Sequence, residues 1–252
     1  MSALTEAEAH CAQMVEQSDP ERFRALMATS EADRRKLWPL YAVNLELARA
    51  PWASKEPMIA EMRVQWWVDA LEALRAEGTA PPSEIGPALA GLRPVAGLLL
   101  ELAETRRQDC WPDGFEDHEA LWRYLDGTAG ALYLAAAQLL GVDAREWSVL
   151  RGQAQGVGLA AYLCAVPEIE RRGRHPLPDG RSAAIAGLAQ AGLARLAHGN
   201  LSRQARRALL PGWESRAILT EISRNPACVS QDIPRKNGLK RQFSFLRHAL
   251  AA

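Results

Sequence analysis

Strand signals are nearly absent from this 252-residue chain, and so is any excess of charge. Its 30 basic and 30 acidic residues cancel. No global basic field is left to attract nucleic acid. Lysine is scarce, occurring only at Lys36, Lys55, Lys236 and Lys240, so arginine carries most of the positive charge. Cysteine is sparse as well. Cys11, Cys110, Cys164 and Cys228 are scattered, form no C-x-x-C pair and fit no small secreted framework. That usage points to a reduced, cytoplasmic compartment. The first twenty residues are rich in glutamate and lack an apolar core, which excludes both a secretory signal and an Arg-rich transit peptide. Apolar runs such as Ala129–Val142 stop short of the ~20 residues of a spanning helix. The expectation is a soluble protein, at most peripheral to a membrane. The histidines (His10, His118, His175, His198, His248) show no zinc-ligand spacing, and no G-x-S-x-G motif supports hydrolase chemistry. Gly152, Gly156 and Gly158 lie inside a helical pattern and follow no strand, so they make no nucleotide-binding loop.

What is present is helix. Asp19-Pro20-Glu21 reads as an N-cap, a proline at N1 and an acid in the first turn. Ser30 with Asp33 resembles a capping box. Leu37, Leu40, Tyr41, Asn44, Leu47 and Ala48 then share one helical face, with Pro39 expected to bend or restart the helix. Further helices are predicted at about 57–77, ending at Gly78, and at 84–107, broken near Pro94. Others follow at about 117–140, at 147 to Pro167 with Asp143 and Glu146 as a capping pair, and at 182–209, 213–224 and 239–250. Trp38, Trp66, Trp67, Trp122 and Trp147 fall mostly at core or rim positions by this spacing. Short joints and no repeat predict an all-α, single-domain helical bundle over residues 1–252.

Several residues stand out within that pattern, each with two readings. Asn44 on an apolar face is a satisfied core amide or a contact lining a cavity. Asp69, on the face of Met62, Trp66 and Ala73, is a partly buried acid paired with an arginine such as Arg63, or a cavity acid. Arg171, Arg172 and Arg174 form a solvated helix exit, or a cradle for a diphosphate or phospholipid head group. Asp109 reads as structural. Gly127, Gly130 and Ala131 let helices approach closely, or leave room for a polyprenyl tail; close packing is the default. The last helix sets Lys236, Lys240, Arg241 and Arg247 beside Leu239, Phe243, Phe245, Leu246 and Leu250. It lies on an anionic membrane or caps the bundle.

Four stretches together resemble the squalene/phytoene synthase family over nearly the whole chain. They are LYA at Leu40–Ala42 with EMRVQWWVDAL at Glu61–Leu71, then LWRYLDGTAGALYLAAAQLLG from Leu121. The others are the segment from Gly152 closing in ERRGRHPLP, and NGLKRQFSFLRHAL near the end. The resemblance implies an isoprenoid-synthase-type bundle that joins two prenyl diphosphates. Two aspartate-rich motifs there hold Mg²⁺, a hard cation that needs clustered carboxylate oxygen.

The chain departs from the family at those motifs. After LYA it reads Ala48-Arg49-Ala50-Pro51-Trp52, with Glu46 the one acid in that turn. The second motif falls on Ala161, Ala165 and Ile169, with Glu168 and Glu170 beyond Pro167. The pattern resembles bacterial relatives of a mitochondrial complex I assembly factor that shares this fold. That likeness implies a noncatalytic protein, free of metal and cofactor, that binds an isoprenoid or lipid through Tyr41, Asn44, Glu46, Asp69, Arg171, Arg172 and Arg174. It also implies a respiratory-complex or membrane-surface partner, and a cytoplasmic location at the inner membrane. The alternatives are a Mg²⁺-dependent prenyltransferase using Glu46, Asp69 and Glu168, and a plain helical interaction protein with a collapsed cavity.

Overall fold

A computed structural model describes residues 4–231, 233 and 238–252. Lys236 and Asn237 of the predicted C-terminal motif lie outside the described residues. Every regular element described is helical. In chain order these are α1 (Glu6–Ser18), α2 (Pro20–Met27), α3 (Glu31–Arg49), α4 (Pro57–Glu77), α5 (Gly86–Leu89), α6 (Ala96–Arg106) and α7 (His118–Leu125). There follow α8 (Ala131–Leu139), α9 (Trp147–Arg171), α10 (Ser182–Ala197), α11 (Arg203–Ala208), α12 (Ser215–Arg224) and α13 (Gly238–Ala251). The helices fall into two compact units. One runs to Trp111 and adds Ala131–Ala144; the other comprises Pro112–Gly130 and Arg145–Ala252.

In the first unit α1 packs on α3, and α6 packs on both α4 and α8. The local signals hold where the chemistry is local. Asp19 caps α2, its Oδ1 accepting from the Arg22 amide at 3.0 Å. The Ser30 hydroxyl accepts from the Asp33 amide at 3.1 Å and starts α3. Gly78 ends α4 with φ at 77°, a backbone that favours a residue without Cβ. Pro39 does not restart its helix: α3 continues through it, with Leu37, Leu40, Tyr41 and Val43 fully buried around it. The stretch Gly86–Cys110 has the length and apolarity of a spanning segment, at mean hydropathy 1.2, longer than the runs seen in sequence. Half of its most apolar window is buried in the protein, and a 3-10 turn at Ala90–Val95 splits it, as Pro94 forecast.

In the second unit α9 lies against α10 and α12. Its core gathers Leu121, Tyr124, Leu159, Leu163, Leu188 and Leu219. Glycines bring the helices close: a Cβ at Gly158 would stand 2.5 Å from the Ala129 Cβ, and one at Gly156 2.9 Å from the Gly192 carbonyl. Four expectations are corrected here. The predicted helix at 117–140 is interrupted by a π turn at Asp126–Gly130. α9 does not end at Pro167 but continues to Arg171, because the apolar positions before it, Leu163 and Val166, are buried on its inner face. Glu146 makes no cap for α9; its carboxylate accepts from the Ser202 amide at 2.6 Å. The predicted helix at 182–209 is two helices, parted at 198–202.

Candidate functional site

In the first unit the candidate residues Tyr41, Asn44 and Glu46 belong to α3. Tyr41 is fully buried, and its hydroxyl finds no hydrogen-bond partner among the described residues. The Arg22 guanidinium lies over its ring, 4.7 Å from the centroid. Arg22 in turn donates through Nε to Asp19 at 2.7 Å. Burial works against the Arg22 charge, yet the Asp19 carboxylate and the Tyr133 and Tyr41 phenols around it raise its pKa above the ordinary value. Burial pushes the Tyr41 phenol well up as well. Tyr41 therefore sits beneath an internal ion pair, and Arg22 Nη1 is a second buried polar atom without a partner. Sequence reasoning read Asp19 only as a cap and passed over Arg22. The signal was there, since a cap and an arginine three residues on can pair across the first turn.

Asn44 is buried on the same helix. Glu46 is half-buried and pairs with Arg49 at 3.5 Å, and Arg49 also donates to the Ser18 hydroxyl. On α4, Asp69 is exposed and accepts from Gln65 one turn earlier. This corrects its expected burial and pairing with Arg63. The i, i+4 amide is the nearer partner on the helix surface. Trp66 on that face is 42% exposed, with Met58 and Met62 beside it more open still, whereas Trp38 and Trp67 are buried as predicted.

In the second unit Arg171 and Arg172 are exposed at the end of α9, and both hold Glu168, Arg172 at 2.7 Å. The Arg172 hydrogen bond and the nearby Arg171 charge keep the Glu168 carboxyl below its usual range. Arg174 is half-buried in the loop that follows. That loop is tied back by the Tyr162 hydroxyl, which donates to the Pro176 carbonyl at 2.8 Å. Ala161 is exposed on α9, and Ala165 and Ile169 are half-buried. A network missed in sequence centres on the π turn. Asp126 accepts from Arg151 Nε and Nη2, each at 2.8 Å, and from Gln155 at 2.8 Å. Gln155 accepts from Arg195, whose guanidinium lies 3.5 Å over the Trp122 ring. A lone acid in an apolar run and polar residues four apart in α9 were its traces in the sequence.

Mg²⁺ needs several hard oxygen donors in one place. Glu46 and Glu168 are each held by arginine. Among the described residues no three His, Cys, Asp or Glu side chains are placed to share a metal ion. Asp109, read as structural, pairs with Arg106 at 2.9 Å.

Comparison with known proteins supplies the frame. No curated protein matches the chain. A crystal structure of a dehydrosqualene synthase in complex with a ligand superposes with a TM-score of 0.76 at 14% identity, covering 97% of this chain and 95% of the other. A TcSQS structure with a bound ligand superposes at 0.67 and 12% identity, covering 97% and 87%. At such identities the superpositions establish the fold, the helical isoprenoid synthase type. The family model for squalene/phytoene synthase matches residues 15–210, across both units, and the chain belongs to that family.

Proposed function

We propose that this protein is a squalene/phytoene-synthase-like binder rather than a Mg²⁺-dependent condensing enzyme. On this reading it holds an isoprenoid or lipid and serves the assembly of a respiratory complex from the cytoplasm, peripheral to the inner membrane. Residues 1–252 act as one family domain; Tyr41, Asn44, Glu46 and Asp69 are the candidate ligand contacts of the first unit, and Arg171, Arg172 and Arg174 those of the second. One observation carries the proposal. Where the family resemblance implies a carboxylate cluster, the chain reads Ala48-Arg49-Ala50-Pro51-Trp52, and Arg49 pairs with Glu46, the single acid of that turn. A guanidinium there opposes a divalent cation instead of ligating it. The ligands bound in the two similar structures support a binding role for the fold.

The test is incubation of purified protein with farnesyl or geranylgeranyl diphosphate and Mg²⁺, with diphosphate release as the readout. Binding without release is the expected result. Turnover that Glu46→Gln abolishes would overturn the proposal in favour of the prenyltransferase. A deletion strain that assembles NADH dehydrogenase normally would remove the assembly role and leave binding alone.

A further inference from the structure

The exposed face of α13 belongs to none of the sites above. Leu239, Phe243, Leu246 and Leu250 recur at intervals of four, three and four, so they form one stripe along the helix. Their exposures are 73%, 71%, 53% and 77%. Lys240 and Arg247 flank one side of the stripe, and both are exposed. The helix contains no acid.

The opposite face explains why the stripe points outward. Phe245 is buried and meets the Trp213 ring edge-on at 5.4 Å. Arg241 donates to both Glu214 oxygens, at 2.6 and 2.8 Å. At the helix end, the Ala251 carbonyl accepts from Arg206 and that of Ala252 from Arg203. The helix is thus fastened along one side, which leaves the stripe on the other.

We infer that α13 docks on an anionic bilayer surface, with Phe243 and Leu246 entering the acyl boundary and Lys240 and Arg247 at the head groups. The chemistry favours lipid over a protein groove because the stripe is continuous and apolar, its charged neighbours are all cationic, and the long stems of Lys and Arg reach outward from a buried stripe. The chain's balanced total charge makes this a local attraction rather than a general one. It deepens the membrane placement proposed above, and its vesicle test is separate from the diphosphate test because it uses no residue of the candidate site.

Co-sedimentation of the full chain with vesicles tests it, comparing phosphatidylcholine alone with phosphatidylcholine containing phosphatidylserine. Binding is expected on the anionic vesicles. Phe243→Ser with Leu246→Ser should lower it at least tenfold. Lys240→Gln with Arg247→Gln should lower it about fivefold per cation removed and abolish the preference for phosphatidylserine. Circular dichroism checks that each variant folds. Equal partition of the native chain into both vesicles, or none into either, would overturn the inference. So would a dimer in solution that Phe243→Ser converts to monomer while vesicle binding stays absent, because the stripe would then meet a second copy.

Discussion

Arg22 stands over the Tyr41 ring and within hydrogen-bond reach of Asp19, so it is a cation already committed to its neighbours. Asp19→Ala removes both the cap of α2 and the counter-charge of a largely buried guanidinium. It should cost about 3 kcal/mol in urea unfolding, and Arg22→Leu in the same chain should recover part of that loss. A second ion pair makes a pH prediction. Hydrogen bonds from Arg35 and from the Thr5 backbone hold the Glu8 carboxyl below its ordinary 4.5. A depressed acid stabilises the fold fully above the unfolded value and loses that contribution as pH falls through the folded one. Stability should therefore decline below pH 4.5, and Arg35→Gln should make the decline shallower in acid titrations followed by circular dichroism.

Along α9 the glycines at 152 and 158 should respond with opposite sign. A Cβ at Gly152 meets nothing within 4 Å, so Gly152→Ala should stabilise by about 0.5–1 kcal/mol through helix propensity. Gly158→Ala places its methyl against the short, immovable Ala129 side chain and should destabilise by about 1–3 kcal/mol. Thermal midpoints of the two variants decide both. The same helix shows what the sequence could convey. The bounds of α4 were legible because a proline at its start and a left-handed glycine at its end are local signals. The length of α9 was not, because a proline's lost hydrogen bond is a local cost, whereas the burial of Leu163 and Val166 is a tertiary gain. The π turn escaped for the same reason: its extra residue is accommodated where Gly158 and Ala129 touch, a contact far apart in sequence. At the candidate site the residue types were legible and their partners were not. Asp69 chose Gln65, and Glu168 drew in two arginines, through geometry that spacing alone does not fix.

For the molecule as a whole, family membership rests on residues 15–210, a stretch that reaches across both compact units. A helical bundle depends on apolar periodicity, which the polar residues of a site do not supply. Each compact unit also encloses thiols: Cys11 and Cys110 are buried in one and Cys228 in the other. Burial pushes the Cys11 thiol up to about 12 and raises that of Cys228. Neither forms thiolate readily while its surroundings stay closed. The native chain should thus alkylate first at half-buried Cys164. Cys11 and Cys228 then act as clocks, one timing the breathing of each unit. Equal labelling rates, read by mass spectrometry, are expected of one cooperative domain, and the ratio of the two rates converts a static boundary into a measured free-energy difference.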